Sequence, residues 1–181
     1  MGTKFRLPGN QSVDYETEFE LARQETLDEL LKILKGNVKV TSELGSPKIR
    51  VPGIGTGAAY TIGDAFGTEF FIPTPLNCTI NNVIFIDYDD EGLRKDLWLF
   101  TTRPTPTADN AAFAPSDPDL GSCIGVVSVD LFYNAANTQL GIATPALSFK
   151  APNGGIWCQI QTQGADNIAA GATPEVIVVV E

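Results

Sequence analysis

"TINNVIFIDYDDEGLRKDLWLFTT", residues 79–102, sets two apolar runs on either side of an acidic, glycine-containing break. Val, Ile, Phe, Tyr and Trp suit a pleated, half-buried surface, whereas successive Asp, Glu and Gly suit a turn. The stretch reads as strand, turn, strand, and predicts a β-hairpin whose acids, Asp87 to Gly92, lie exposed. DYDDEG also imitates the start of a calcium loop, with oxygen ligands at alternating positions and the glycine sixth. That reading fails at the twelfth position, where a bidentate glutamate is required and Trp98 stands, and Glu91 occupies the fifth.

Outward from this pair the same alternation recurs. Strands are expected near VKVTSEL (38–44), AAYTIG (58–63), TEFFI (68–72), CIGVVSVDLFY (123–133), GIATPALSF (141–149), IWCQIQTQ (156–163) and EVIVVVE (175–181), the last as a buried strand. Gly, Pro, Asn and Asp separate them. So many short strands with frequent turns predict a mainly β fold, an antiparallel β-sandwich or jelly roll. Gly53 to Gly57, GIGTG, superficially suits a phosphate loop, but no amphipathic helix follows it, so it reads as a flexible linker.

The run DYETEFELARQETLDELLKILK, residues 14–35, is the one convincing helix. Leu27, Leu30, Leu31 and Leu34 recur at three- and four-residue steps, acids fill the first turns, Lys32 and Lys35 the last, and Gly36 stops it. Alone it would be marginal, so it docks on its own domain, on a partner or on copies of itself. The expected organisation is an N-terminal arm and amphipathic helix for docking or oligomerisation (1–36), a linker with a short strand (37–57) and a β-sandwich domain (58–181). Phe5, Leu7, Phe19, Leu27, Leu30 and Leu34 are the candidate partner-binding residues.

Composition limits the chemistry. Among 181 residues there is no histidine, which removes the usual general base, the Ser-His-Asp and Cys-His arrangements and the commonest zinc ligand. Hydrophobic residues are 43% and charged ones 19%, with 17 Gly and 12 Pro, a turn-rich globular balance. Cys78, Cys123 and Cys158 lack metal or redox spacing and read as small, buried free thiols. Residues 1–50 hold eight basic and eight acidic side chains, and the rest carries the whole net charge of -10. Such an acidic field repels phosphate backbones, so no nucleic-acid partner is expected. The polar start MGTKFRLPGNQS and the lack of a long apolar run lead to expecting no targeting segment and no membrane span, and Arg6 argues against myristoylation at Gly2.

"DNAAFAPSDPDL", residues 109–120, concentrates three aspartates, two prolines and Phe113, which should plug the segment onto the domain. Paired carboxylates could hold Ca²⁺ or act in glycoside hydrolysis, and Asp87, Asp89, Asp109 and Asp117 are the weak calcium candidates. A carbohydrate-binding sandwich built on these acids would need Trp98 and Trp157 exposed, yet both fall in strand patterns where a core position is expected. No catalytic residue and no cofactor is assigned.

Tyr60, Gly63, Asp64 and Gly67, then Asp109 to Phe113, Asp117, Asp119 and Leu120 with Ile124 to Val127, follow a pattern that resembles small structural proteins of tailed bacteriophages. The closing region departs from that pattern with Ile156-Trp157 where Leu-Tyr is usual, keeping an aromatic side chain. The resemblance spans roughly residues 58–180 and leaves the arm and helix uncovered. It implies a virion component on a β-sandwich with no catalytic residues, and the lack of a targeting segment leads to expecting its manufacture in the host cytoplasm. Together with the adhesive arm and acidic domain, it leads to expecting a non-enzymatic capsid decoration or cement protein. Its partners would be the major capsid protein and copies of itself, a trimer by analogy. A head fibre, tail or adsorption protein is the alternative.

Overall fold

A computed structural model describes residues 48–181 except 56 and 58. These belong to a compact unit, Leu44–Glu181. The expected helix, the strand at 38–44 and the candidates Phe5, Leu7, Phe19, Leu27, Leu30 and Leu34 lie outside the described residues.

The unit is mainly β, with two antiparallel sheets that share one core. Its strands are β1 (Lys48–Arg50), β2 (Ala65–Pro73), β3 (Asn77–Asp87), β4 (Lys95–Phe100), β5 (Cys123–Val129), β6 (Leu131–Asn134), β7 (Gln139–Ala143), β8 (Leu147–Lys150), β9 (Gly155–Thr162) and β10 (Glu175–Val180). One short helix, α1 (Asp117–Leu120), precedes β5. The first sheet runs β1-β10-β3-β7-β6, with β8 also on β3, and the second runs β2-β9-β4-β5.

Period-2 alternation builds the core between them. In register, Val176 and Val178 of β10 oppose Phe85 and Val83 of β3. Leu97 and Leu99 of β4 oppose Ile160 and Cys158 of β9. All eight are buried, together with Phe66, Phe70 and Ile72 of β2. Each such aliphatic or aromatic side chain contributes about 1.5–3 kcal/mol by leaving water, which offsets the entropy of ordering a chain rich in glycine.

The pairing is nested: β4 with β5, β3 with β8, β2 with β9 and β1 with β10. Consequently β3 and β4 are not a hairpin, as the sequence had suggested. They lie in different sheets, and 88–94 crosses between the layers. Each strand already has neighbours on both sides, β3 between β10 and β7, and β4 between β9 and β5. An alternating strand buried on one face gains more from two neighbours than from one tight turn.

Four other expectations change in detail. CIGVVSVDLFY is two strands, because the chain leaves the second sheet at Asp130 and joins the first. GIATPALSF is also split, where Pro145 offers no N–H and Ala146 takes φ 49°. Residues 59–63 of AAYTIG form no strand, since Asp64 Oδ2 accepts from both the Thr61 N–H and its hydroxyl and folds a turn. GIGTG is not a free linker: Gly55 N–H donates to Asp109 and Gly57 N–H to the Ile168 carbonyl. Val51, just before it, is buried in the core, and β1 pairs with β10.

Candidate functional site

The acidic side chains are the natural place to look for chemistry, and the fold assigns most of them to its own backbone. Asp109 sits in the long segment between β4 and β5. Its Oδ1 accepts from the Tyr60 hydroxyl and the Gly67 N–H, and its Oδ2 from the Gly55 N–H, each at 2.7 Å. Tyr60 is 1% exposed, and burial, with the Asp109 hydrogen bond second, pushes its phenol well above the usual range. Around this node the segment 110–113 lies beside the approach to β2. Asn110 N–H donates to Ala65 O, Ala65 N–H to Ala111 O, and Phe113 N–H to Gly63 O.

The remainder of the segment lies across the outer face of the second sheet. Gln159 of β9 donates to Thr107 O at 2.7 Å and accepts from Thr107 N–H. Phe113 packs on Trp98 with ring centroids 5.3 Å apart, so it does plug the segment onto the domain. At α1, Ser116 and Asp119 form a reciprocal capping box, and Asp119 also accepts from Thr105 N–H. The Ser116 hydroxyl and then the Thr105 N–H hold the Asp119 carboxyl below its ordinary value. Asp117 is exposed on the first turn.

The β3–β4 connection behaves alike. Asp87 is 1% exposed and accepts from Asp89 N–H and Gly92 N–H, while Asp89 accepts from Ala169 N–H at 2.7 Å. Glu91 accepts from Asn167 N–H with both oxygens, at 2.8 and 2.9 Å. Burial is the main cause that raises the Glu91 carboxyl above its ordinary value. Of the turn acids expected to lie exposed, Asp89 and Glu91 clamp the β9–β10 connection, and Asp87 is buried and closes its own turn.

Asp87, Asp89, Asp109 and Asp117 are thus spread over three places rather than gathered at one. Among the described residues no group of three or more Asp, Glu or Cys side chains is arranged to hold a metal ion. Cys78 and Cys158 are buried free thiols, as expected, and Cys123 is only half-buried. Burial raises the Cys78 and Cys158 thiols, which keeps them protonated and poorly nucleophilic.

Trp98 and Trp157 are not in the core. Both point away from it, on the outer face of the second sheet, and are half-buried. Trp157 meets the edge of Phe71 at 5.4 Å and lies 5.1 Å from the Arg103 guanidinium, which pairs with Glu69. The core position expected for these two is not observed, because flanking apolar residues mask the alternation in sequence.

One site was missed altogether. Lys95 and Asp166 are both buried, their Nζ and Oδ1 are 2.7 Å apart, and the Phe66 and Phe85 rings stand 4.9 and 5.6 Å from Nζ. Thr162, the register partner of Lys95, donates its hydroxyl to Asp166 Oδ2. The signal was present in RKDLWLF, where Lys95 shares the inward phase of Leu97 and Leu99.

Compared with protein-family models, curated proteins and solved structures, the chain gives no match. Among the described residues no helix is long and apolar enough to cross a membrane.

Proposed function

We propose that this protein is a structural component of a tailed-bacteriophage virion, a capsid decoration protein that docks through its N-terminal arm and helix. The observation that carries this reading is the Tyr60–Asp109–Gly67 node. All three residues belong to the pattern that resembles phage structural proteins, and in this chain they meet to lock a loop onto a sheet. A pattern whose members serve the fold suits a scaffold better than an enzyme.

Two further features support it. The nested pairing and the strand orders β1-β10-β3-β7 and β2-β9-β4-β5 support a jelly-roll reading of the sandwich, an architecture found in viral capsids. Asp87, Asp89, Glu91, Asp109 and Asp119 of the long loops accept from backbone N–H groups, which stiffens the surface the protein would present to solvent.

In this reading residues 1–36 bury apolar area against the major capsid protein or a second copy, with Phe5, Leu7, Phe19, Leu27, Leu30 and Leu34 as contacts. At roughly 25 cal/mol per Å², even a modest footprint matters when repeated over a shell. The test is co-sedimentation with capsids that lack the protein, comparing the full chain with one starting near Gly36. Saturable binding by the full chain alone is expected. Equal binding by both forms would remove the arm from the interface. Binding by neither would favour the tail or fibre reading.

A further inference from the structure

We infer that Lys95 and Asp166 join through an amide bond between their side chains, an internal cross-link that the chain makes by itself. Four observations converge on it. The amine and the carboxyl are already in contact at 2.7 Å, across 71 positions of sequence. Both side chains are inaccessible, at 1% and 0% exposure. The Phe66 and Phe85 rings, both 0% exposed, line the ammonium and keep water away. A hydroxyl, Thr162 Oγ1, is aimed at the carboxyl oxygen that the lysine does not touch.

The surroundings favour condensation. An ion pair sealed among aromatic rings carries the desolvation cost of two charges, and the amide that would replace it carries none. The pair is sealed from bulk water, in which the reverse reaction would dominate. Rigid placement supplies what a free amine and carboxylate lack, since contact at this distance turns a bimolecular encounter into an intramolecular one.

The step balances without a co-reactant. The Lys95 ammonium passes one proton to Asp166 Oδ1 along their hydrogen bond, and the neutral amine attacks Cγ. Negative charge develops on Oδ2, where the Thr162 hydroxyl donates to it as an oxyanion donor does. The Cγ–Oδ1 bond then breaks, a second proton from nitrogen leaves with that oxygen as one water, and the amide keeps the last hydrogen. Lys95 Nζ also donates to Leu93 O at 2.7 Å, which orients the amine during the attack.

The product ties the first residue of β4 to the β9–β10 connection, which Asp89 and Glu91 already clamp from the β3–β4 side. This chemistry depends on the core of the β unit and stands apart from any docking partner.

Mass spectrometry of the purified full chain decides it. The expected intact mass is one water below that of the sequence. Trypsin, blocked at an acylated Lys95 and at Arg103-Pro104, should release fragment 95–150 covalently joined to 151–181. A cyclic imide at Asp166 would also lose water, but it would leave 96–150 and 151–181 separate, and that result overturns the proposal. So does an unchanged mass after prolonged incubation of the folded protein. Thr162→Val, which keeps the shape of the site, should form the cross-link at least tenfold more slowly after refolding. An equal rate would remove the hydroxyl from the reaction.

Discussion

The Tyr60 hydroxyl donates to Asp109 Oδ1 over 2.7 Å, joining residues 49 positions apart. The same carboxylate takes the Gly55 and Gly67 N–H groups, so one side chain serves three donors, two of which, the Tyr60 hydroxyl and the Gly67 N–H, belong to buried residues. Leaving a buried donor unsatisfied costs about 1–3 kcal/mol, and hydrogen bonds to a charged acceptor lie at the upper end. Asp109→Ala is therefore expected to lower unfolding stability by about 3 kcal/mol, and Tyr60→Phe by about 1–2 kcal/mol, in urea titrations. Asp117→Ala, at an exposed position, should leave the midpoint where it is. Equal effects at Asp109 and Asp117 would contradict the structural assignment.

Gly67 makes the same node possible from the backbone side. Its φ is +75°, and a Cβ there would meet Pro52 O at 2.5 Å and Val51 Cγ1 at 2.8 Å. Gly154 has a similar φ of +73° with nothing within 4 Å. Gly67→Ala therefore combines left-handed strain with a clash against backbone, whereas Gly154→Ala brings strain alone. The first should cost more than about 2 kcal/mol and the second about 1 kcal/mol, as thermal unfolding of the two variants would show.

Local patterns revealed much of the fold, and their limits were physical. Alternation located the strands that contain Phe85, Leu97, Ile160 and Val178, because a sheet buried on one face imposes its period on the sequence. It did not reveal that β3 and β4 part company at Asp87. Strand partners are chosen by nested long-range pairing, and no local feature distinguishes a hairpin turn from a crossing between layers. The aspartates were visible as a cluster in DNAAFAPSDPDL, but their acceptor roles depend on N–H groups far away in sequence, such as Gly55 and Gly67. Lys95 was legible in principle, since a lysine in phase with Leu97 and Leu99 must be either paired or misplaced.

Acid should weaken the fold through two carboxyls. Glu175 is held below its ordinary value by Lys48 first and by the Tyr88 hydroxyl next, and Asp119 by Ser116 and Thr105. A depressed folded value means that the native state releases its proton more readily. Their contribution is present above the unfolded carboxylate range, about pH 4, and is lost as pH falls through the folded values. Glu91 has the opposite sign, because its raised value favours the native state at low pH and ceases to as pH rises through it. The expected profile is a thermal midpoint that falls below about pH 4, with a shallower fall in the Asp119→Asn, Glu175→Gln double variant. Lys48 is half exposed, so added salt should reduce the part due to Glu175.

The segment between β4 and β5 is fastened by the Gln159–Thr107 pair, by Asp109 and by backbone hydrogen bonds at 110–113, and it makes one aromatic contact, Phe113 on Trp98. Phe113 is half-buried, so removing it forfeits less than a full core aromatic, roughly 1–2 kcal/mol. The loss should be local. Amide exchange at Asn110, Phe113 and Ala65, whose N–H groups bridge the segment to the start of β2, should accelerate in Phe113→Ala. Exchange at Val176 and Val178 in the centre of the first sheet should be unaffected, because their ladder to β3 does not involve the segment. Uniform acceleration across both groups would mean that Phe113 supports the whole core and that the segment is an integral layer of the fold rather than a strap laid over it.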